Sequence, residues 1–110
     1  EFQDLTVSDK PLWQVVAERV SSQWNEHNNC MLVVGATYPE EMRKVREIAG
    51  DMTFLVPGIG AQGGDLGQVM KNGLNSKKQG MIISSSRGVI FSEDPKAEAK
   101  KLKDEMSRFL

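Results

Sequence analysis

Phe54-Leu55-Val56-Pro57-Gly58-Ile59-Gly60-Ala61-Gln62-Gly63-Gly64-Asp65 is the stretch that decides how this chain folds. Thr53 to Val56 is an apolar run too short for a helix and reads as a strand. Proline and glycines then break the pattern. Asp65 to Asn72 places Leu66, Val69 and Met70 at helical spacing, so the segment is strand, glycine-rich turn, helix.

The same unit appears on either side. Upstream, Cys30 to Val34 is a continuous apolar run ended by Gly35, the pattern of a strand buried on both faces. Pro39 opens a helix with Met42, Val45, Ile48 and Ala49 on one face, and Gly50 ends it. Downstream, after the polar loop Asn75 to Gln79, Met81 to Ile83 reads as a third strand. Pro95 to Phe109 reads as a closing helix carrying Ala99, Leu102 and Met106. A first helix holds Leu12, Val15, Val16, Arg19 and Val20, with Asp9 or Ser8 as cap, Pro11 in its first turn and Trp24 closing its apolar face. Strands beginning near residues 30, 53 and 81 have the period of a βα repeat.

Helix, then strand–helix three times, is an α/β arrangement with two solutions: an open doubly wound sheet or part of a (β/α)8 barrel. Three strands alone leave two sheet edges to cover, so the pattern predicts further strands elsewhere. Composition narrows the function. The chain has 110 residues, 14 Lys+Arg against 15 Asp+Glu and a net charge of −1, which carries no signature of nucleic-acid binding or a polybasic membrane module. No apolar run approaches the ~18 residues of a membrane span. The single cysteine, Cys30, rules out an internal disulfide and suits a reducing compartment such as the cytoplasm. A start at Glu1 without Met leads us to expect a processed product, a trimmed one or a piece of a longer chain.

Three readings compete for the glycines. Gly58-x-Gly60-x-x-Gly63 matches a dinucleotide fingerprint between strand and helix. That fingerprint belongs to the first strand of its fold, and Gln79 to Ser84 offer no acidic residue for a ribose hydroxyl. Pro57 also removes a donor where the turn begins. A second reading has the glycines merely shaping a loop. The third is an anion site, in which the loop brings backbone N–H groups close to a phosphate and Gln62 adds a side-chain donor. The next strand end, Ile82 to Gly88, carries Arg87, whose guanidinium binds phosphate in bidentate fashion. Two successive strand ends offering donors fit the phosphate site that barrels build after their last strands. The alternative for Arg87 is a surface ion pair.

Val33-Val34-Gly35-Ala36-Thr37, Pro57 to Asp65 and Ser85-Ser86-Arg87-Gly88 together resemble the later strands of the orotidine 5′-phosphate decarboxylase family. Phe2-Gln3-Asp4-Leu5 and Lys10-Pro11-Leu12 resemble the segment after the fifth strand in one branch of it. The resemblance covers essentially the whole chain in the right order. It implies a cofactor-free (β/α)8 TIM barrel that converts orotidine monophosphate to UMP and CO2 in pyrimidine biosynthesis, usually as a homodimer. Residues 1–110 would be one incomplete domain: the helix after strand five, then the last three βα units. By the same resemblance, Gln62 contacts the phosphate and helps close the loop, and Arg87 is the main phosphate cation. Pro57, Gly58 and Ile59 line the nucleotide pocket. Ser86 stands where many members have Gly, and its N–H still serves.

The family's chemistry uses an alternating Lys/Asp array in a D-x-K-x-x-D segment, and this sequence has none. Asp9-Lys10 and Asp94-Pro95-Lys96 lack the spacing and precede helices. The chain is therefore expected to hold the phosphate and to leave catalysis to the N-terminal half of the barrel. Alternatives are a non-catalytic self-associating half-barrel or another phosphate-binding barrel lyase acting on sugar phosphates. His27, alone in a polar turn, reads as solvated, and Cys30 as packing rather than nucleophile. Lys96 to Lys103 reads as the wet face of the last helix, and Ser84-Ser85-Ser86 lacks the histidine a serine nucleophile needs.

Overall fold

A computed structural model describes residues 2–60 and 63–110. It opens on a hairpin of β1 (Thr6–Val7) and β2 (Lys10–Pro11), antiparallel with Val7 opposite Lys10. Ser8 and Asp9 form its two-residue loop at φ 51° and 65°. Positive φ at both central positions is what the strand twist demands, and Asp tolerates it. These two residues are therefore spent on the turn and do not cap the first helix. Helix α1 (Leu12–Arg19) starts behind Pro11 without a side-chain cap and runs on as a π-helical turn over Val20–Trp24.

The inward stripe of α1 also differs from expectation. Ala17 and Val20 are buried, with Trp13 packed on the core, while Val16 and Trp24 are exposed. Positions 13, 17 and 20 make an i, i+4, i+7 stripe rotated away from the one that hydrophobicity suggests. Ala17 joins the core cluster together with Met42, Val45 and Ala49 of α2 (Pro39–Ala49).

The sheet consists of β3 (Leu32–Val33), β4 (Phe54–Pro57) and β5 (Met81–Ser84), all parallel and in that order. The ladder from β3 runs beyond its strand, with the Val34 and Ala36 amides donating to the Leu55 and Pro57 carbonyls at 2.9 and 3.0 Å. Between β4 and β5 lies α3 (Leu66–Gly73), whose first turn is capped by the Asp65 carboxylate accepting from the Gln68 amide at 2.8 Å. After β5 come a short helix α4 (Ser86–Ile90) and α5 (Pro95–Ser107), capped by Asp94. The sequence pattern read the α4 segment as a strand end; one turn and a half of helix carries no apolar period to see. In α5, Ala99 is exposed and the half-buried seam runs through Glu98, Leu102, Glu105 and Met106.

The core lies on one side of the sheet. Phe54 and Val56 are fully buried there in one cluster with Met42 of α2 and Val69 of α3. Burial of each such side chain contributes about 1.5–3 kcal/mol. The register puts Val33, Leu55 and Ile82 side by side on the opposite face. Val33 is 70% exposed and Ile82 49%. Of the expected burial of the first strand on both faces, these residues supply one: helices cover that face only. A doubly wound sheet covers both faces. A single apolar face turned away from all the helices is the wall of a barrel, whose interior is filled by side chains from all its strands.

Arg46 ties the carboxyl ends of α2 and α3 to the approaches to β4 and β5. Its guanidinium donates to the carbonyls of Gly73 (2.7 Å), Gly50 (2.7 Å), Met52 (2.6 Å) and Gly80 (3.1 Å). It also lies 3.6 Å over the centre of the Phe54 ring. Burial lowers its pKa, opposed by the charge of Asp51. Among the described residues no helix is long and apolar enough to cross a membrane.

Candidate functional site at the carboxyl ends of the strands

The parallel register brings the ends of β4 and β5 level, with Pro57 beside Ser84. Beyond them a small cavity of about 80 Å³ is lined by Pro57, Gly58, Ile59, Ser84, Ser85, Ser86, Arg87 and Gly88. Five of the six residues singled out in the sequence thus share one cavity. The sixth, Gln62, lies outside the described residues. Ser84, Ser85 and Gly88 were not among the expected lining residues; the shared register of the two strand ends is what adds them.

The glycine-rich loop is closed mostly on itself. The Gly60 amide donates to the Gly64 carbonyl (3.3 Å), Gly63 to Gly60 (2.8 Å) and Gly64 to Gly58 (3.1 Å). Gly58, Gly60 and Gly63 hold φ of 101°, 74° and 85°, which a side chain would strain. Gly64 is needed for a different reason. A Cβ there would lie 2.5 Å from the Gly58 carbonyl oxygen and 2.6 Å from the Ala36 Cβ. Gly64→Ala must therefore push the loop off the β3 end, since neither neighbour is a flexible tip. We expect it to cost about 1–3 kcal/mol, the usual range for overpacking. A wild-type thermal midpoint in a scanning-calorimetry comparison would contradict this.

Three amides of the loop are thus committed within it. Among the described residues, nothing in the chain accepts from the amides of Ser86, Arg87 and Gly88 at the start of α4. The Arg87 side chain is exposed, and no carboxylate among the described residues pairs with it. That removes the ion-pair reading of Arg87 among those residues and leaves a guanidinium beside three unspent N–H groups. The cavity is therefore a cationic, donor-rich pocket with an apolar wall of Pro57 and Ile59, suited to an anionic group attached to a less polar body.

The carboxylates and lysines weighed as a catalytic array are employed elsewhere. Lys10 pairs with Glu18 at 2.7 Å, Asp9 forms the hairpin turn, and Asp94 accepts from the Ala97 amide. The Glu18 pKa is lowered, first by its hydrogen bond from Lys10. Cys30 is half-buried against the core, its thiol directed at the Trp24 carbonyl at 3.4 Å, and His27 is exposed.

Comparison with known proteins gives a consistent result. The orotidine 5′-phosphate decarboxylase / HUMPS family matches residues 1–102. The orotidine 5′-phosphate decarboxylase of Cellvibrio japonicus is 52% identical over 94 residues, covering 86% of this chain and 34% of that protein. Among solved structures, the UMP synthase of Leishmania donovani superposes with a TM-score of 0.95 at 45% identity, over 98% of this chain and 24% of that one. The OMP decarboxylase of the same organism gives 0.92 at 42% identity, over 98% and 42%. The chain thus spans about a third of the length of the curated relative.

Proposed function

This chain belongs to the orotidine 5′-phosphate decarboxylase / HUMPS family, and from that premise we propose that the complete barrel decarboxylates orotidine monophosphate to UMP and CO2, with these residues supplying its phosphate-binding wall. The carrying observation is the single cavity that joins Pro57, Gly58, Ile59, Ser86 and Arg87 at two adjacent strand ends, with no ion pair to Arg87 among the described residues. Arg87 takes the phosphate in bidentate fashion, the Ser86 amide adds a donor, and Pro57, Gly58 and Ile59 bound the nucleotide. Gln62 reaches the same phosphate from the glycine-rich loop in this reading.

The division of labour follows from the reaction. Loss of CO2 leaves an electron pair on the pyrimidine carbon, which then takes a proton. A lysine held beside carboxylates favours the first event and supplies the proton for the second. No such array occurs in this sequence, so in this proposal it comes from the earlier βα units of the barrel. Phosphate contacts remote from the reacting carbon provide binding energy that orders and closes the site. A cytoplasmic homodimer belongs to the same proposal, supported by the family and by the lone cysteine.

Calorimetric titration of the full-length protein with UMP and with ribulose 5-phosphate, alongside a decarboxylation assay, tests the proposal. Preferential UMP binding with turnover of orotidine monophosphate is the expected result. Preference for the sugar phosphate would assign a different barrel lyase. UMP binding without turnover would assign a non-catalytic binder.

A further inference from the structure

On the phosphate-site reading above, we propose that Ser85 is a positioning residue that sets the spacing between the two loops of that site. A serine directly before a helix ordinarily turns its hydroxyl onto the first free amides. Ser85 precedes α4 and makes no such bond. Its hydroxyl instead donates across 26 positions to the Ile59 carbonyl at 3.5 Å. A Cβ built on Gly60 would lie 4.0 Å from that hydroxyl, and one on Gly88 would lie 2.8 Å from it. The Ser85 oxygen therefore sits at the junction of the glycine-rich loop and the first turn of α4.

Two consequences follow from this placement. The amides of Arg87 and Gly88 stay uncapped and available to a ligand. The loop after β4 is pinned at Ile59 to the strand end that carries Arg87, so the two sides of the cradle keep a fixed separation. At 3.5 Å the bond is long for O–H···O. Meanwhile the Ser85 carbonyl accepts from the Val89 amide at 3.2 Å, which fixes the turn of α4 from the same residue.

A double-mutant cycle in the full-length protein tests the assignment. Ser85→Ala should raise the KM for orotidine monophosphate by about three- to tenfold, the scale of one lost neutral hydrogen bond, with kcat within about twofold. Ser85→Thr, which keeps the hydroxyl, should restore most of that loss. Gly88→Ala should act similarly to Ser85→Ala, because the new methyl displaces the hydroxyl from Ile59. With the hydroxyl gone the methyl meets nothing, so the double variant should be no worse than either single one. Multiplying effects, an unchanged KM in Ser85→Ala, or equal losses in the Thr and Ala variants would overturn the proposal. Arg87→Ala separates the two levels: if it raises KM while Ser85→Ala does not, only the Ser85 role falls. If Arg87→Ala also leaves KM unchanged, the phosphate-site reading falls with it.

Discussion

Arg87→Ala in the full-length protein is expected to raise the KM for orotidine monophosphate by about 10²- to 10³-fold, from the loss of two charge-assisted hydrogen bonds to a phosphate. Each such bond contributes about 1.5–3 kcal/mol, and the remaining amides of the cradle recover a part. The fold should not suffer. Arg87 is exposed, carries no ion pair among the described residues and serves no core contact, so the thermal midpoint should match the wild type within a degree or two. Arg87→Lys should fall between, since an ammonium keeps the charge and loses the planar fork. Some of the loss should appear in kcat, because phosphate binding energy also closes the site. Steady-state kinetics with a parallel melting curve checks all of this. An unchanged KM would remove Arg87 from the proposed site.

Arg46→Ala should be strongly destabilising for a change away from that site, by about 3 kcal/mol, well below four full charge-assisted bonds because the freed carbonyls are partly rehydrated. Those carbonyls belong to four places that no other described side chain ties together: the end of α3 at Gly73, the turn after α2 at Gly50, the approach to β4 at Met52 and the approach to β5 at Gly80. The stacking on Phe54 adds a cation–π term of about 0.5–2 kcal/mol. Gly80 is doubly engaged, since its carbonyl also accepts from the Phe54 amide at 2.9 Å. Arg46→Lys should lose most of the same stability, as one ammonium cannot span the four acceptors. Urea unfolding should show a lower midpoint with an unchanged slope. A wild-type midpoint for Arg46→Ala would mean that the carbonyls are satisfied without it.

The two residues contrast in how far the sequence exposes them. Arg87 is legible because it follows an apolar strand and precedes a glycine, and because its neighbours carry a family motif. Arg46 looks like one more cation on a charged helix face, between Val45 and Glu47. Its acceptors lie 27 and 34 positions away at Gly73 and Gly80, as well as nearby at Gly50 and Met52. Backbone carbonyls leave no mark in a sequence, so no pattern could have named them. The hairpin turn at Ser8-Asp9 fails differently: residues that suit a helix cap also suit positive φ, and the pairing of β1 with β2 decided between the two uses.

By itself the sequence determined the three βα units and the helix before them, the limits set by proline and glycine, the core faces of α2 and α3, and the family. Those features rest on local spacing, which survives without knowledge of what packs against what. Only the tertiary structure decided that helices cover one face of the sheet, leaving Val33, Leu55 and Ile82 as a barrel's inner wall. It also showed that three amides of the glycine-rich loop are spent on the loop, and that Arg87 and the start of α4 share one cavity with Pro57, Gly58 and Ile59. The physical reason is the same in both cases. A hydrogen bond or a buried face is fixed by what lies opposite in space, and residues far apart in sequence become opposite only when the parallel register aligns the strand ends.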